Sequence, residues 1–154
     1  METLPYLDKI SFNFINKRPR INQSAVKSWL SKILTDNRYS LISISYNFCS
    51  DAVLLEINQE YLNHDYLTDI ITFDLSDIEN SIEGDIYISI DRIKDNAKVL
   101  HVEYEVELLR VMVHGLLHLM GQNDKTKKDK EQMRIKEDSC LAMYKNHVPR
   151  ETEG

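Results

Sequence analysis

The chain has 154 residues, 42% of them hydrophobic and 29% charged, the balance of a soluble globular protein and not of a collagen-like or disordered one. That length suits a single domain, 1–154, burying roughly 70% of its unfolded surface. No apolar run approaches the ~20 residues of a bilayer span, so no membrane partner is expected. A formal net charge of -6 argues against duplex DNA as a partner, because such binders neutralise many phosphates with a basic excess.

Two cysteines, Cys49 and Cys140, lie far apart and outside any C-x-x-C spacing. They read as reduced thiols, not as a disulfide or zinc-knuckle framework. The opening residues have neither a basic region nor a long apolar core, so no secretory signal is expected and the cytoplasm is the default compartment. Charge is unevenly spread. Residues 1–38 carry seven basic and three acidic side chains, residues 39–91 eleven acids and no Lys or Arg, and residues 92–154 twelve basic and eleven acidic. Local basic runs stand at Lys17-Arg18-Pro19-Arg20 and at Lys125, Lys127, Lys128 and Lys130. On charge pattern alone each reads as a solvated loop or helix start.

In chain order, a short apolar segment at Ile10–Phe14 comes first. Residues 23–35 then place Val26, Trp29, Leu30, Ile33 and Leu34 on one helical face, with Asn22 as N-cap. Residues 41–48 alternate, with Ile42, Ile44, Tyr46 and Phe48 set against Ser43, Ser45 and Asn47, and predict a half-buried strand. Asp51 is placed to cap a helix carrying Leu54, Leu55, Asn58, Tyr61 and Leu62. Residues 68–73 and 84–90 are rich in β-branched and aromatic side chains and predict two further strands. Asp91 is placed to start a helix running to Leu100, residues 103–120 predict a long one, and residues 129–144 a last one. That last helix reads as packing through Met133, Ile135, Leu141 and Tyr144. Trp29 and the tyrosines read as core, and the tail from Pro149 as mobile. No repeat or linker divides the chain. Interleaved helices and strands predict an α/β (α+β) domain with a small mixed sheet of about four strands covered by helices.

Within the apolar face of the long helix sit His114 and His118. Four residues apart, they project from one side of the helix, one turn above the other, so both imidazoles can reach one metal ion. That spacing alone also suits two structural histidines. Both lie in an apolar stretch, however, where an imidazole needs a partner. Gly121 can take the left-handed conformation that ends a helix, and Gln122, Asn123 and Asp124 follow, returning a carboxylate towards the same ion. The helical zinc motif of metalloproteases is H-E-x-x-H. Here the glutamate position is Gly115, which can move no proton, so a peptidase of that mechanism is disfavoured. A mid-helix glycine costs ~1 kcal/mol against alanine, which implies close packing or a close approach at that point.

The run His114-Gly115-Leu116-Leu117-His118-Leu119-Met120-Gly121-Gln122-Asn123-Asp124 resembles the signature H-G-x-L-H-L-x-G-x-D-H of the YbeY family, metal-dependent endoribonucleases of bacterial ribosomal RNA maturation. Asn58-x-x-Tyr61, Thr68-Asp69-Ile70-Ile71-Thr72-Phe73 and Gly84-Asp85-Ile86-Tyr87-Ile88-Ser89 resemble further segments of that family. The likeness extends over roughly residues 40–145. It implies a zinc-dependent endoribonuclease, preferring single strands, that acts in maturation of the 3' end of 16S ribosomal RNA and in ribosome quality control. Its partners would be single-stranded or ribosomal RNA and the small ribosomal subunit. One zinc ion would be held by His114, His118 and Asp124, with no catalytic side chain beyond the ion's water.

Two departures stand out. Asp124 replaces the usual third histidine; a carboxylate is a competent zinc ligand, but its charge should make the bound water less acidic. Leu62 replaces the arginine that follows the family tyrosine, which leaves any phosphate-holding role to His64, to a lysine of the 125–130 cluster, or unfilled. Asp69 and Asp85 read as strand-end hydrogen-bonding residues. The acids of residues 39–91 are expected to face away from an RNA substrate. Two rival readings share the metal site: a metal-dependent hydrolase of a non-RNA substrate, and a non-catalytic ribosome assembly factor stabilised by zinc. The latter needs a fourth protein ligand, from His64, His101 or His147, each otherwise an ordinary surface residue. An open fourth position favours catalysis and a closed one favours structure.

Overall fold

In a computed structural model that describes residues 6–64 and 67–147, the strand β1 (Ile10–Phe14) follows a 3-10 turn and leads to the helix α1 (Gln23–Asp36). Next come β2 (Ser40–Cys49), α2 (Asp51–Leu62), β3 (Ile70–Asp74) and β4 (Ser81–Ser89). Three helices complete the chain: α3 (Ile90–Leu100), α4 (Tyr104–Leu119) and α5 (Lys127–His147). The tail from Pro149 and the first five residues lie outside the described residues.

The sheet has the order β1-β2-β4-β3; β1 and β4 flank β2 in parallel, and β3 closes the other edge antiparallel to β4. This is the mixed four-stranded α+β arrangement that the pattern predicts. Segment Ile10–Phe14, apolar but unassigned from its sequence, supplies the fourth strand by pairing with Ile44 to Phe48.

Because side chains alternate across a strand, each strand feeds two layers. Phe48, Ile70 and Ile86 point into the main core with Trp29, Ile33, Met112 and Leu116. Their neighbours Cys49, Ile71 and Tyr87 point the other way, towards Leu54, Val53 and Ile57 of α2. One face of the sheet thus carries α1, α4 and α5, and α2 lies on the opposite face. Buried polar groups inside the core are paired: the Trp29 indole N–H donates to the Cys140 carbonyl at 2.8 Å, and the Tyr46 hydroxyl donates to the Met112 carbonyl at 3.0 Å. An unpaired group in either place would cost about 1–3 kcal/mol. Both cysteines are free and buried.

Helix starts follow hydroxyl caps more than carboxylates. Asn22 accepts from the Ala25 N–H at 3.1 Å, as its position predicts. At α2 and α3, however, the caps are Ser50 and Ser89, not Asp51 and Asp91. The two aspartates tie these helix starts together instead: Asp91 accepts the Asp51 N–H at 2.9 Å, and Asp51 is held by Arg92 and by the Ser89 hydroxyl. Lys17 of the first basic run pairs with Asp91 at 3.5 Å, and Arg18 lies over the Phe14 ring.

Several apolar side chains depart from expectation: Ile42 is 39% exposed where the register shifts between Leu41 and Ser43, and Leu62 is 40% exposed. Tyr61 is 65% exposed, set edge-on to Phe73, which in turn meets Tyr87. Ile135 is 59% exposed, because the buried stripe of α5 runs through Met133, Glu137, Cys140 and Tyr144 at spacings of four, three and four. Among the described residues no helix is long and apolar enough to cross a membrane.

Candidate metal centre

Helix α4 runs across the sheet with Gly115 against it. A Cβ on Gly115 would stand 2.9 Å from Ile86 Cδ1 and 3.0 Å from Ile70 Cδ1. The missing side chain therefore seats α4 against the strands, and the close approach that a mid-helix glycine implies is made by two isoleucines. This docking fixes where the histidines of the same helix emerge, at the mouth between α4 and the start of β3.

The turn after α4 is built as its residues predict. Gly121 has φ 98°, its N–H donates to the His118 carbonyl at 3.0 Å, and the Gln122 N–H donates to the Leu117 carbonyl at 3.0 Å. Thr126 and Asp129 cap α5 reciprocally: the Asp129 N–H donates to the Thr126 hydroxyl and the Thr126 N–H to the Asp129 carboxylate. This exchange starts α5 at Lys127, two residues before the expected start at 129. Asp124 sits between the glycine turn and that cap, which brings it back over α4.

His114, His118 and Asp124 line one open cleft of about 440 Å³. His114 Nε2 stands 3.5 Å from Asp124 Oδ2. Zinc bonds of ~2.0–2.2 Å in a tetrahedral set separate neighbouring donor atoms by about 3.3–3.6 Å, so this pair has the spacing of two ligands. Imidazole and carboxylate donors suit zinc. As the side chains stand, no three His, Cys, Asp or Glu among the described residues form a group that could hold an ion; the structure brings two of the three expected ligands together and places His118 on the same wall.

Leu62 and His64 line this cleft too, along with Asn58, Thr68, Ile70 and Thr72. His64 is thus an exposed residue, as expected, that also lines the cleft. His101 is the left-handed residue that ends α3, and the His147 side chain lies outside the described residues. No Lys or Arg lines the cleft among the described residues, while Lys125, Lys127, Lys128 and Lys130 are exposed along the segment that follows Asp124.

A second cleft of about 400 Å³ opens on the other side of His114 and Asp124, towards Asp69, Glu107, Arg110 and Glu137. Asp69 does serve hydrogen bonding at a strand end: its carbonyl accepts the Ser89 N–H and its carboxylate accepts from Asn96 at 3.3 Å. It also faces the site, so not all acids of residues 39–91 point away from it. Burial holds the Asp69 carboxyl above the usual range, against a lowering by His114. Asp85 lies elsewhere, accepting from the Ser45 hydroxyl at 2.7 Å.

The residue that the sequence does not single out is Glu137. It is 5% exposed, and its Oε2 lies 2.7 Å from His114 Nδ1. Arg110 donates to its Oε1 at 2.8 Å and reaches Asp138 at 2.7 Å with its other nitrogen. Helix α5 therefore does more than pack. A signal was present, since Glu137 is the one charged side chain on the otherwise apolar stripe of that helix. The hydrogen bond to Glu137 raises the His114 imidazole above its ordinary value; desolvation opposes this, and Asp124 and Asp69 add to the rise.

A family model described as Endoribonuclease YbeY matches residues 11–145. The chain is 52% identical over 123 residues to the endoribonuclease YbeY of Cytophaga hutchinsonii, covering 80% of this chain and 86% of that protein. It is 46% identical over 135 residues to that of Flavobacterium johnsoniae, covering 88% and 96%. The solution structure of TM1509 from Thermotoga maritima superposes with a TM-score of 0.63 at 20% identity, over 94% of this chain and 99% of the other, a likeness of fold. With a family model spanning most of its length and relatives of this identity, the chain belongs to the YbeY endoribonuclease family.

Proposed function

We propose that the protein is a zinc-dependent endoribonuclease that cuts single-stranded RNA during ribosomal RNA maturation, in the cytoplasm and in contact with the small ribosomal subunit, with His114, His118 and Asp124 as the zinc ligands. Family membership supports the nuclease activity. The observation that carries the metal reading is the ligand-like separation of His114 Nε2 and Asp124 Oδ2, on the cleft that His118 also lines.

When bound, the ion supplies Lewis acidity at a phosphoryl oxygen and a water of lowered pKa. The chain's own residues do the rest. Leu62, Ile70 and Ile71 give the open cleft an apolar wall, while Thr68 and Thr72 offer polar groups to the sugar-phosphate backbone. The exposed lysines after Asp124 give RNA phosphates a cationic approach beside a cleft that has no lysine or arginine of its own among the described residues.

The test is cleavage of a short single-stranded RNA by zinc-loaded protein, run beside an identically purified His118→Ala variant. Cleavage by the wild type alone is the expected result. Equal cleavage by both would trace the activity to a contaminant, and cleavage by neither would favour a non-RNA substrate or an assembly role. His64 at the cleft favours one specific second reading, a zinc site closed by a fourth protein ligand. His64→Ala is expected to keep zinc affinity unchanged; a large loss would support the structural site.

A further inference from the structure

We propose that Glu137 is a positioning residue for the metal centre: its carboxylate, gripped by Arg110, commits His114 Nδ1 to helix α5 and so presents His114 Nε2 to the cleft beside Asp124. The proposal rests on the metal reading of the cleft and adds to it a residue from a different helix.

The geometry is specific. Each Glu137 oxygen has its own partner, Oε1 taking Arg110 and Oε2 taking His114. Two bonds at 2.8 Å and 2.7 Å leave the carboxylate no freedom to rotate without breaking one. Glu137 is nearly fully buried, and Arg110 is only 17% exposed in its side chain. A buried carboxylate is tolerated only when paired and hydrogen-bonded, and Arg110 and His114 are those partners. A carboxylate oxygen accepts, so the bond at Oε2 takes up His114 Nδ1 as donor and leaves Nε2 as the ring nitrogen free for the cleft. Nε2 is the nitrogen that stands 3.5 Å from Asp124. Outer carboxylates of this kind orient ligating imidazoles and raise their basicity, and their loss typically weakens metal binding ~10–100-fold.

A purely structural role would also exist for such a group, since it ties α4 to α5. The two roles separate by measurement. Metal-free protein is titrated with Co(II), whose visible absorption reports both affinity and the geometry of its ligands, and thermal melting is followed in parallel. Glu137→Gln keeps the volume and removes the charge. It is expected to weaken Co(II) binding by about tenfold or more and to alter the absorption bands. Asp138→Asn removes the charge from the solvent-exposed arm of the Arg110 clamp, and from the pair with Arg134, without touching Glu137 or His114, and is expected to bind Co(II) as the wild type does. A Glu137→Gln variant that melts lower yet keeps wild-type affinity and spectrum would overturn the proposal.

Should that variant fail to fold, wild-type protein answers alone. Its NMR spectrum is expected to show a protected, downfield Nδ1 proton that vanishes in His114→Ala, and its absence from wild type would overturn the proposal. If wild-type protein takes up no Co(II), or His118→Ala takes it up equally well, the metal reading itself falls and Glu137 loses its role with it.

Discussion

Glu107 carries a further consequence of burying acids next to the site. It is 5% exposed, and its carboxyl is raised by desolvation and then by Asp69, with Arg110 and Asn96 pulling it down. A raised carboxyl means that the folded state keeps a proton which the unfolded chain has already released. Its contribution to stability is therefore full below the ordinary carboxyl value and is lost as pH rises through the folded one. Replacing it with an uncharged isostere removes that loss. In melts of metal-free protein from about pH 4, near the ordinary carboxyl value, to about pH 8, the Tm of Glu107→Gln is expected to gain on the wild type as pH rises; a gap that stays constant would mean that folding does not change the protonation of Glu107. The thiols show the same effect of burial, Cys49 being pushed up to about 12 and Cys140 to about 11. Raised and buried, neither is poised as a nucleophile at neutral pH, and both are free, as their spacing predicts.

At the scale of elements, two glycines set how closely α4 meets the sheet. A Cβ on Gly84 would stand 2.8 Å from the Phe73 carbonyl oxygen and 2.9 Å from Leu119 Cδ1. Backbone of a paired strand cannot give way locally, so Gly84→Ala is expected to cost about 1–3 kcal/mol. Gly115→Ala meets isoleucine side chains and no backbone: Ile86 Cδ1, Ile70 Cδ1 and, at 3.3 Å, Ile86 Cγ2. Their rotation, together with a gain of ~1 kcal/mol in helix propensity, should leave that variant more stable than Gly84→Ala. Denaturant melts of the pair check the order, and a reversed order would mean that the isoleucines are locked. The same elements show where sequence reading stops. The periodicity of α1 and α4 is legible because it is local, and so is the turn at Gly121; the alternation of β2 holds only in part, since Ile42 is exposed beside a register shift and Asn47 is buried. The caps of α2 and α3 are not legible, because a serine stands one or two residues before each aspartate, and the aspartates are engaged in contacts distant in sequence, Asp51 with Arg92 and Asp91 with Lys17 and the Asp51 N–H.

At the scale of the whole molecule, charge is uneven along the chain. The segment without Lys or Arg, residues 39–91, spans β2, α2, β3 and β4, and the lysines at 125, 127, 128 and 130 are exposed after Asp124. If RNA enters the cleft as proposed, the exposed lysines after Asp124 attract its phosphates. Lys127→Ala with Lys128→Ala is expected to weaken binding of single-stranded RNA at low salt and to flatten the slope of its salt dependence by about 0.7 for each phosphate that a lysine no longer neutralises. Binding isotherms over a salt series measure that slope, and an unchanged slope would place the RNA elsewhere.

The sequence by itself determined the class of fold, the helix that carries His114 and His118, the glycine turn that returns Asp124, and the family to which these segments belong. All of these are written in spacings of a few residues, where helical and strand periodicity and turn chemistry act. The tertiary structure alone decided that β1 joins the sheet beside β2, that Leu62 and His64 enter the cleft, that Asp69 faces it, and that Glu137 reaches His114 from 23 residues along the chain. Those pairings join elements distant in sequence, and their partners are chosen by how α4 and α5 pack on the sheet, which no local pattern encodes.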